Sequence, residues 1–252
     1  MILHIARFTL LEFRRTRTLW LVAAIALIGV VGAQFAGALA LTDTRGVQAA
    51  LLGSFLRWAA AGVMVLGVIT SSVREFDDKV HELILAAPVP RYVWFAGKLA
   101  GYGGFAVILA GLFALCATLH APVGAALAWG LALACELTIL AAASLFALYT
   151  FRQVVPAASA VFGFYLLSRT VGAIQLLGHG PYVDGGAWST QAINGVIATI
   201  AFVLPDFGTF AASDWLVHGV EGSVFGRLLL QTSSYLLFIS GAALFDLYRK
   251  NY

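Results

Sequence analysis

Three ionisable side chains interrupt the apolar runs of this chain: Arg57, Glu136 and Arg169. Ionisable groups at membrane depth are costly, so they face a bundle interior, where they pair with one another or line a route for a solute. Both roles are open on the sequence. Glu136 can pair with Arg169 or Arg57 and hold helices together, or the three can line a pathway. Arg57 also has a stem long enough to snorkel towards the outer interface. A second set, His179, Asp184, Asp206, Asp214 and His218, is of metal-ligating type, but its spacing matches no ligand motif. Solvated loop residues are the default reading, and no metal or cofactor is assigned to the chain. No catalytic residue is assigned either, for no nucleophile–base motif or spaced pair of carboxylates is present. A G-x-x-x-x-G-K-[ST] phosphate loop is absent, so this chain does not hydrolyse ATP by itself.

The charged residues concentrate instead in one interval, Ser71–Lys98 (SSVREFDDKVHELILAAPVPRYVWFAGK). Ser72 and Glu75 have capping-box spacing, which predicts a new helix starting at Ser72 as an apolar helix ends. Phe76, Val80, Leu83 and Ala87 then form one apolar stripe. Glu75, Asp77, Asp78, Lys79 and Glu82 take the other faces, with Glu75 and Lys79 in the favourable i,i+4 order. Pro88 and Pro90 stop the helix, because proline lacks the amide donor and clashes with the preceding turn. The interval reads as a short amphipathic helix over 72–87, lying along a membrane surface between two spans.

The elements that must position these groups follow from composition. The chain has 252 residues, 61% hydrophobic and only 11% charged, where a soluble domain carries about a quarter charged residues. Several runs reach the roughly 20 apolar residues needed to cross a bilayer as a helix, and no alternating β-barrel pattern occurs. The expected fold is therefore an all-α membrane protein in a single transmembrane domain. A nucleic-acid partner would need a concentrated basic face, which the sequence lacks. Cys116 and Cys135 fall in different apolar runs and read as small hydrophobes.

Residues 1–17 set Ile5, Phe8 and Leu11–Phe13 against His4, Arg7, Arg14 and Arg15. That pattern suits an interfacial helix leading into span 1, or a basic flank that sets topology. The first span is expected to be retained, since its apolar run is longer than a signal-peptide core. Spans are expected at about 18–41, 49–70, 99–119, 123–149, 154–177 and 225–247. Gly97, Gly101 and Gly104 open span 3 as a stripe for close helix packing.

Between Gly178 and Gly226 the sequence is ambiguous. Ala192–Leu204 is apolar but only 13 residues long before Pro205, too short to cross comfortably. Charge bias decides the count. With six spans, eleven Lys/Arg share one side and only Arg45 and Arg227 lie opposite, whereas a seventh span spoils the bias. The positive-inside rule thus predicts six spans, both termini cytoplasmic, and 178–226 outside as re-entrant half-helices. Trp188, Phe207, Phe210 and Trp215 would anchor those half-helices at the interface.

This layout resembles the permease subunit of a type 2 ABC exporter. A basic interfacial helix precedes span 1. The segment after span 2 carries a charged helix, a Leu-rich patch, a Pro-x-x-R turn (Pro88–Arg91) and Gly97-Lys98 opening span 3. The outer segment carries Leu204-Pro205-Asp206-Phe207 with Asp214-Trp215 downstream, most similar to permeases associated with maturation of multicopper enzymes such as nitrous oxide reductase. The resemblance implies a transporter of the bacterial inner membrane built from two permease copies and two cytoplasmic ATPase subunits, which hold the ATP and Mg. Arg74, Glu75, Phe76, Asp77, Asp78, Lys79, His81, Glu82 and Leu83 would form the coupling helix that docks in a groove of the ATPase. A symmetric dimer also suits six spans, which are few for enclosing a large pathway. Two further readings stand beside export: a force-transmitting permease that drives a periplasmic partner, and a non-ABC membrane scaffold or assembly factor.

Overall fold

A computed structural model describes residues 1–15, 18–41, 43–77, 90–178, 188–220 and 222–249. Among them helix is the only regular secondary structure, in nine helices: α1 (Ile2–Arg15), α2 (Thr18–Leu39), α3 (Thr44–Asp77), α4 (Arg91–Ala117), α5 (Val123–Phe151), α6 (Val154–Gly178), α7 (Trp188–Val203), α8 (Asp214–His218) and α9 (Ser223–Arg249). Six of these, α2 to α6 and α9, are long and apolar enough to cross a membrane. The all-α, six-span membrane architecture expected from hydropathy is the observed one. α7 and α8 are the two short helices of the ambiguous region, and α7 stops at Val203, ahead of Pro205.

α5 is the hub. It packs against α3, α4, α6, α8 and α9, and from Trp129 to Tyr149 most of its side chains are buried. Its sequence explains this, because alanines dominate (ALACELTILAAASLFA) and let neighbouring backbones approach from every side. The outer helices α2 and α9 keep leucine, isoleucine and phenylalanine exposed, Leu27, Ile28, Leu237 and Phe238 among them. Such side chains suit lipid contact. Lipid tails are as apolar as leucine, so burial alone does not join these helices; close packing and polar contacts must do so.

α1 shows how. It lies against α4, and the glycine stripe predicted for span 3 is the groove that receives it. A Cβ on Gly97 would come within 2.7 Å of Ile5 Cβ, and one on Gly101 within 2.6 Å of Thr9 Cβ and 3.0 Å of the Ala6 carbonyl oxygen. Phe13 then stacks on Phe105 with ring centroids 4.0 Å apart. α1 is thus a packed element of the bundle as well as an amphipathic one.

Two expectations are corrected. No helix begins at Ser72, because α3 runs unbroken from Thr44 to Asp77. Ser72 is buried mid-helix with its hydroxyl 2.8 Å from the Tyr102 hydroxyl, so it caps nothing. The tertiary partner outcompetes the local cap. Likewise α4 starts at Arg91, directly after Pro90, so Gly97 and Lys98 lie inside it and do not open it.

One end of the bundle gathers the basic residues expected on a common side. Arg91 Nη1 donates to the Leu247 carbonyl at 2.8 Å, Thr150 Oγ1 to Asp246 at 2.7 Å, and Lys98 is paired with Glu75. These ties bring the end of α3, the start of α4 and the ends of α5 and α9 together. Filling the α1 groove should break the dock: Gly101→Val is expected to cost about 1–3 kcal/mol by overpacking. The checks are a lower melting midpoint in detergent and faster proteolysis of residues 1–15.

Candidate functional site: a buried charge cluster under residues 204–216

Arg57, Glu136 and Arg169 come from α3, α5 and α6 and meet in the bundle. Glu136 is fully buried, and its Oε1 lies 3.7 Å from Arg169 Nη1. Arg57 is within electrostatic reach of both. The pairing expected for Glu136 is therefore with Arg169. Snorkelling of Arg57 is not seen, since only 6% of it is exposed.

Two guanidiniums share one carboxylate here, and a guanidinium does not deprotonate in proteins. The surplus positive charge is met by backbone carbonyls of residues 204–216. Arg57 Nη1 donates to the Ala211 carbonyl at 2.6 Å, and Arg169 Nη1 to the Phe207 carbonyl at 2.8 Å. Trp129 Nε1, on α5, donates to the same Ala211 oxygen at 2.8 Å. Hydrogen bonds from a charged donor are about twice as strong as neutral ones, and a water-poor core strengthens them further. Ala211 pays for its position: at φ +42° it occupies the left-handed region, costing a non-glycine residue about 1–3 kcal/mol. That strain turns its carbonyl towards both donors.

Residues 204–216 are shaped for this docking. Asp206 Oδ1 accepts from the Gly208 amide at 3.1 Å, and the Asp206 carbonyl accepts from the Thr209 hydroxyl at 2.9 Å, folding a tight turn. The turn drives Phe207 and Phe210 inward, where both are fully buried with ring centroids 5.6 Å apart. Phe207 also meets Tyr165 at 5.8 Å. The interface-anchor role expected for these two phenylalanines is thus replaced by a core role, because apolar side chains must accompany the carbonyls that reach the arginines. Pro205 is buried behind them. Ser213 Oγ lies 2.7 Å from Ser54 Oγ. Leu216 fills a niche over Gly53, where a Cβ would come within 2.5 Å of it.

The remaining residues divide clearly. Trp215 is half-buried and packs on Phe225 at 6.4 Å, while Trp188 is largely exposed. Asp214 and His218 pair with each other at 2.7 Å on the surface, apart from the buried cluster. No group of three or more metal-ligating side chains is found among the described residues. Of the expected coupling residues, Arg74 and Glu75 occupy the last turns of α3, and Phe76 and Asp77 end it. Asp78, Lys79, His81, Glu82 and Leu83 lie outside the described residues, as do His179 and Asp184. Glu75 is held by Lys98 across the α3–α4 interface, and its expected i,i+4 partner Lys79 lies outside the described residues.

Sequence reasoning missed Trp129, Tyr165, Ser168, Ser54 and Ser213. Tyr165 stands beside Glu136, and Ser168 is buried one turn along α6. A signal was present for Ser54, which lies three residues before Arg57 on one face of the helix.

No protein-family model matches this chain, and no curated protein is significantly similar to it in sequence.

Removing one member of a buried ion pair strands the other. Glu136→Gln is therefore expected to destabilise the fold by about 3–5 kcal/mol. Adding Arg169→Met should recover part of that loss, since contacting groups are not additive. Thermal melts of the two single variants and the double variant check both points.

Proposed function

We propose that this chain is the permease subunit of a type 2 ABC transporter of the bacterial inner membrane, with both termini cytoplasmic. It works as a dimer with two copies of a separate ATPase that binds ATP and Mg. One observation carries most of this reading: a proline-free helix, α3, extends past the apolar core to Glu75 and leads into the charged stretch 78–89. A mechanical link to an ATPase must be compact, anchored and connected to the spans. Lys98 supplies the anchor by pairing with Glu75 at the base of that stretch. The gathering of Arg74, Arg91, Lys98, Arg152 and Arg249 at one end of the bundle supports the same sidedness.

Within this class two modes are distinguished by what moves. In export, rocking of the spans opens a route for a solute. In force transmission, the permease moves an extracytoplasmic partner and carries no solute itself. The ties from α3, α5 and α6 to residues 204–216 favour the second mode, since displacing any of those helices must displace the outer segment. A non-ABC scaffold remains the reading from another class.

Pull-down of the detergent-solubilised chain, with and without charge reversal at Glu75, Asp77 and Asp78, separates the classes. Co-purification of a nucleotide-binding subunit with the wild type, and its loss from the variant, is the expected result. Absence of such a subunit under mild conditions sinks the permease reading. Once the complex is in hand, Glu136→Gln separates a structural cluster from a pathway. A structural role lowers assembly, whereas a pathway role spares assembly and abolishes transport.

A further inference from the structure

α3 carries a polar tie at each end of one uninterrupted helix. At the outer end Ser54 and Arg57 hold Ser213 and Ala211, and Leu216 sits over Gly53. At the inner end Ser71, Ser72 and Glu75 meet Tyr102 and Lys98 of α4. Residues 53, 54 and 57 share a face, and Arg57 and Glu75 are separated by about 27 Å along the axis. No proline lies between Thr44 and Asp77. A kink in a helix comes at a proline, a Gly/Ser pair, a π-bulge or an inserted group. Gly53-Ser54 lies at the outer tie itself, and residues 57–70 between the ties hold no proline or Gly/Ser pair and are α-helical throughout, so displacement at one end is carried to the other. At Gly67, the glycine nearest the inner end, the Phe13 ring of α1 packs within 2.9 Å of where a Cβ would stand, which supports the helix from the side.

The two ties differ in what they let go. The inner tie is at the rim, with 19% of the Glu75 side chain exposed. The outer tie is buried, and its acceptor is a carbonyl held in a strained left-handed conformation at Ala211. Loss of the Arg57 bond leaves a charged donor without its partner and the strained Ala211 carbonyl with Trp129 as its other donor, so a released arrangement of this side would be distinct from the docked one. Packed interfaces behave in this bistable way, without graded deformation.

We propose that α3 is a tie rod whose inner end, at Glu75–Lys98, controls whether residues 204–216 stay docked through Arg57 on Ala211. The segment is a latch whose α3 side, Arg57 on Ala211 and Ser54 on Ser213, lets go when α3 shifts, while Arg169 and Trp129 keep their hold on Phe207 and Ala211. That the inner end is driven by an ATPase rests on the permease reading; the mechanical link itself does not.

The test needs no ATPase. In the full chain with Cys116→Ala and Cys135→Ala, a reporter Leu204→Cys is placed at a partly buried position of the latch, and its labelling rate with a hydrophilic maleimide is measured. Lys98→Gln, at the far end of α3, is expected to raise that rate about three- to tenfold, the size of effect seen between coupled residues. The rise should vanish when Arg57→Met has already released the latch. It should also vanish when Ser54→Cys and Ser213→Cys are joined as a disulfide before the reporter is exposed. This locked form keeps the test usable if Arg57→Met does not fold. Unchanged labelling on Lys98→Gln overturns the tie rod, as does a rise of equal size in the locked or Arg57→Met forms. Because the readout involves no nucleotide, such a failure leaves ATPase docking standing, and a failed pull-down leaves the tie rod standing.

Discussion

A buried cation without a negative partner is among the least tolerable features a membrane helix can carry, and this chain sets a buried Arg57 and a partly buried Arg169 beside a single carboxylate. The structure meets that constraint by bringing backbone to the charges. The Ala211 carbonyl accepts from Arg57 and from Trp129, and the Phe207 carbonyl accepts from Arg169. Several features of residues 204–216 serve this need. The Asp206 turn, the left-handed Ala211, the inward Phe207 and Phe210 and the Ser54–Ser213 contact all hold two carbonyls in place. Irregular backbone at such depth is tolerated when it is enclosed by protein, and here enclosure and charge compensation are the same event.

The two ends of α3 solve one problem in different ways. Helices in lipid gain little from burying leucine against leucine, so their positions are set by small residues and polar contacts. The inner end uses both, with glycines of α4 admitting α1 and the Glu75–Lys98 pair joining α3 to α4. The outer end uses charge against backbone dipoles. Between them lies apolar packing around α5, which supplies shape but little direction. Orientation of the spans therefore depends on a few polar ties at the two rims.

The reading as a transporter subunit draws on this distribution of ties more than on fold class. Six helices of membrane-spanning length serve many functions, and fold alone identifies none of them. What narrows the choice is a long helix with its charged end held by Lys98 and its far end bound to an outer segment. Such an arrangement suits a machine that relays movement. The same arrangement places cargo identity outside the reach of residue patterning, since no cluster of groups among the described residues, beyond Arg57, Glu136 and Arg169, marks a route through the spans.

Hydropathy by itself determined the helical class and the six long spans, because each span is a local property of about twenty consecutive residues. The shortness of the apolar run before Pro205 likewise predicted a helix unable to cross, and α7 stops there. The residue types Arg57, Glu136 and Arg169 announced a buried cluster, because a charge inside an apolar run must turn inward to find a polar partner. Their partners were not legible. Which carboxylate meets which arginine, that Ser72 serves Tyr102 in place of a helix cap, and that Phe207 turns inward are decided by residues 30 to 154 positions apart in sequence. A capping box and a surface aromatic are local patterns, and each loses when a tertiary partner satisfies the same group better. Tertiary structure alone decided that residues 204–216 close over the charges, since only folding brings α3, α5 and α6 to one carbonyl-lined surface.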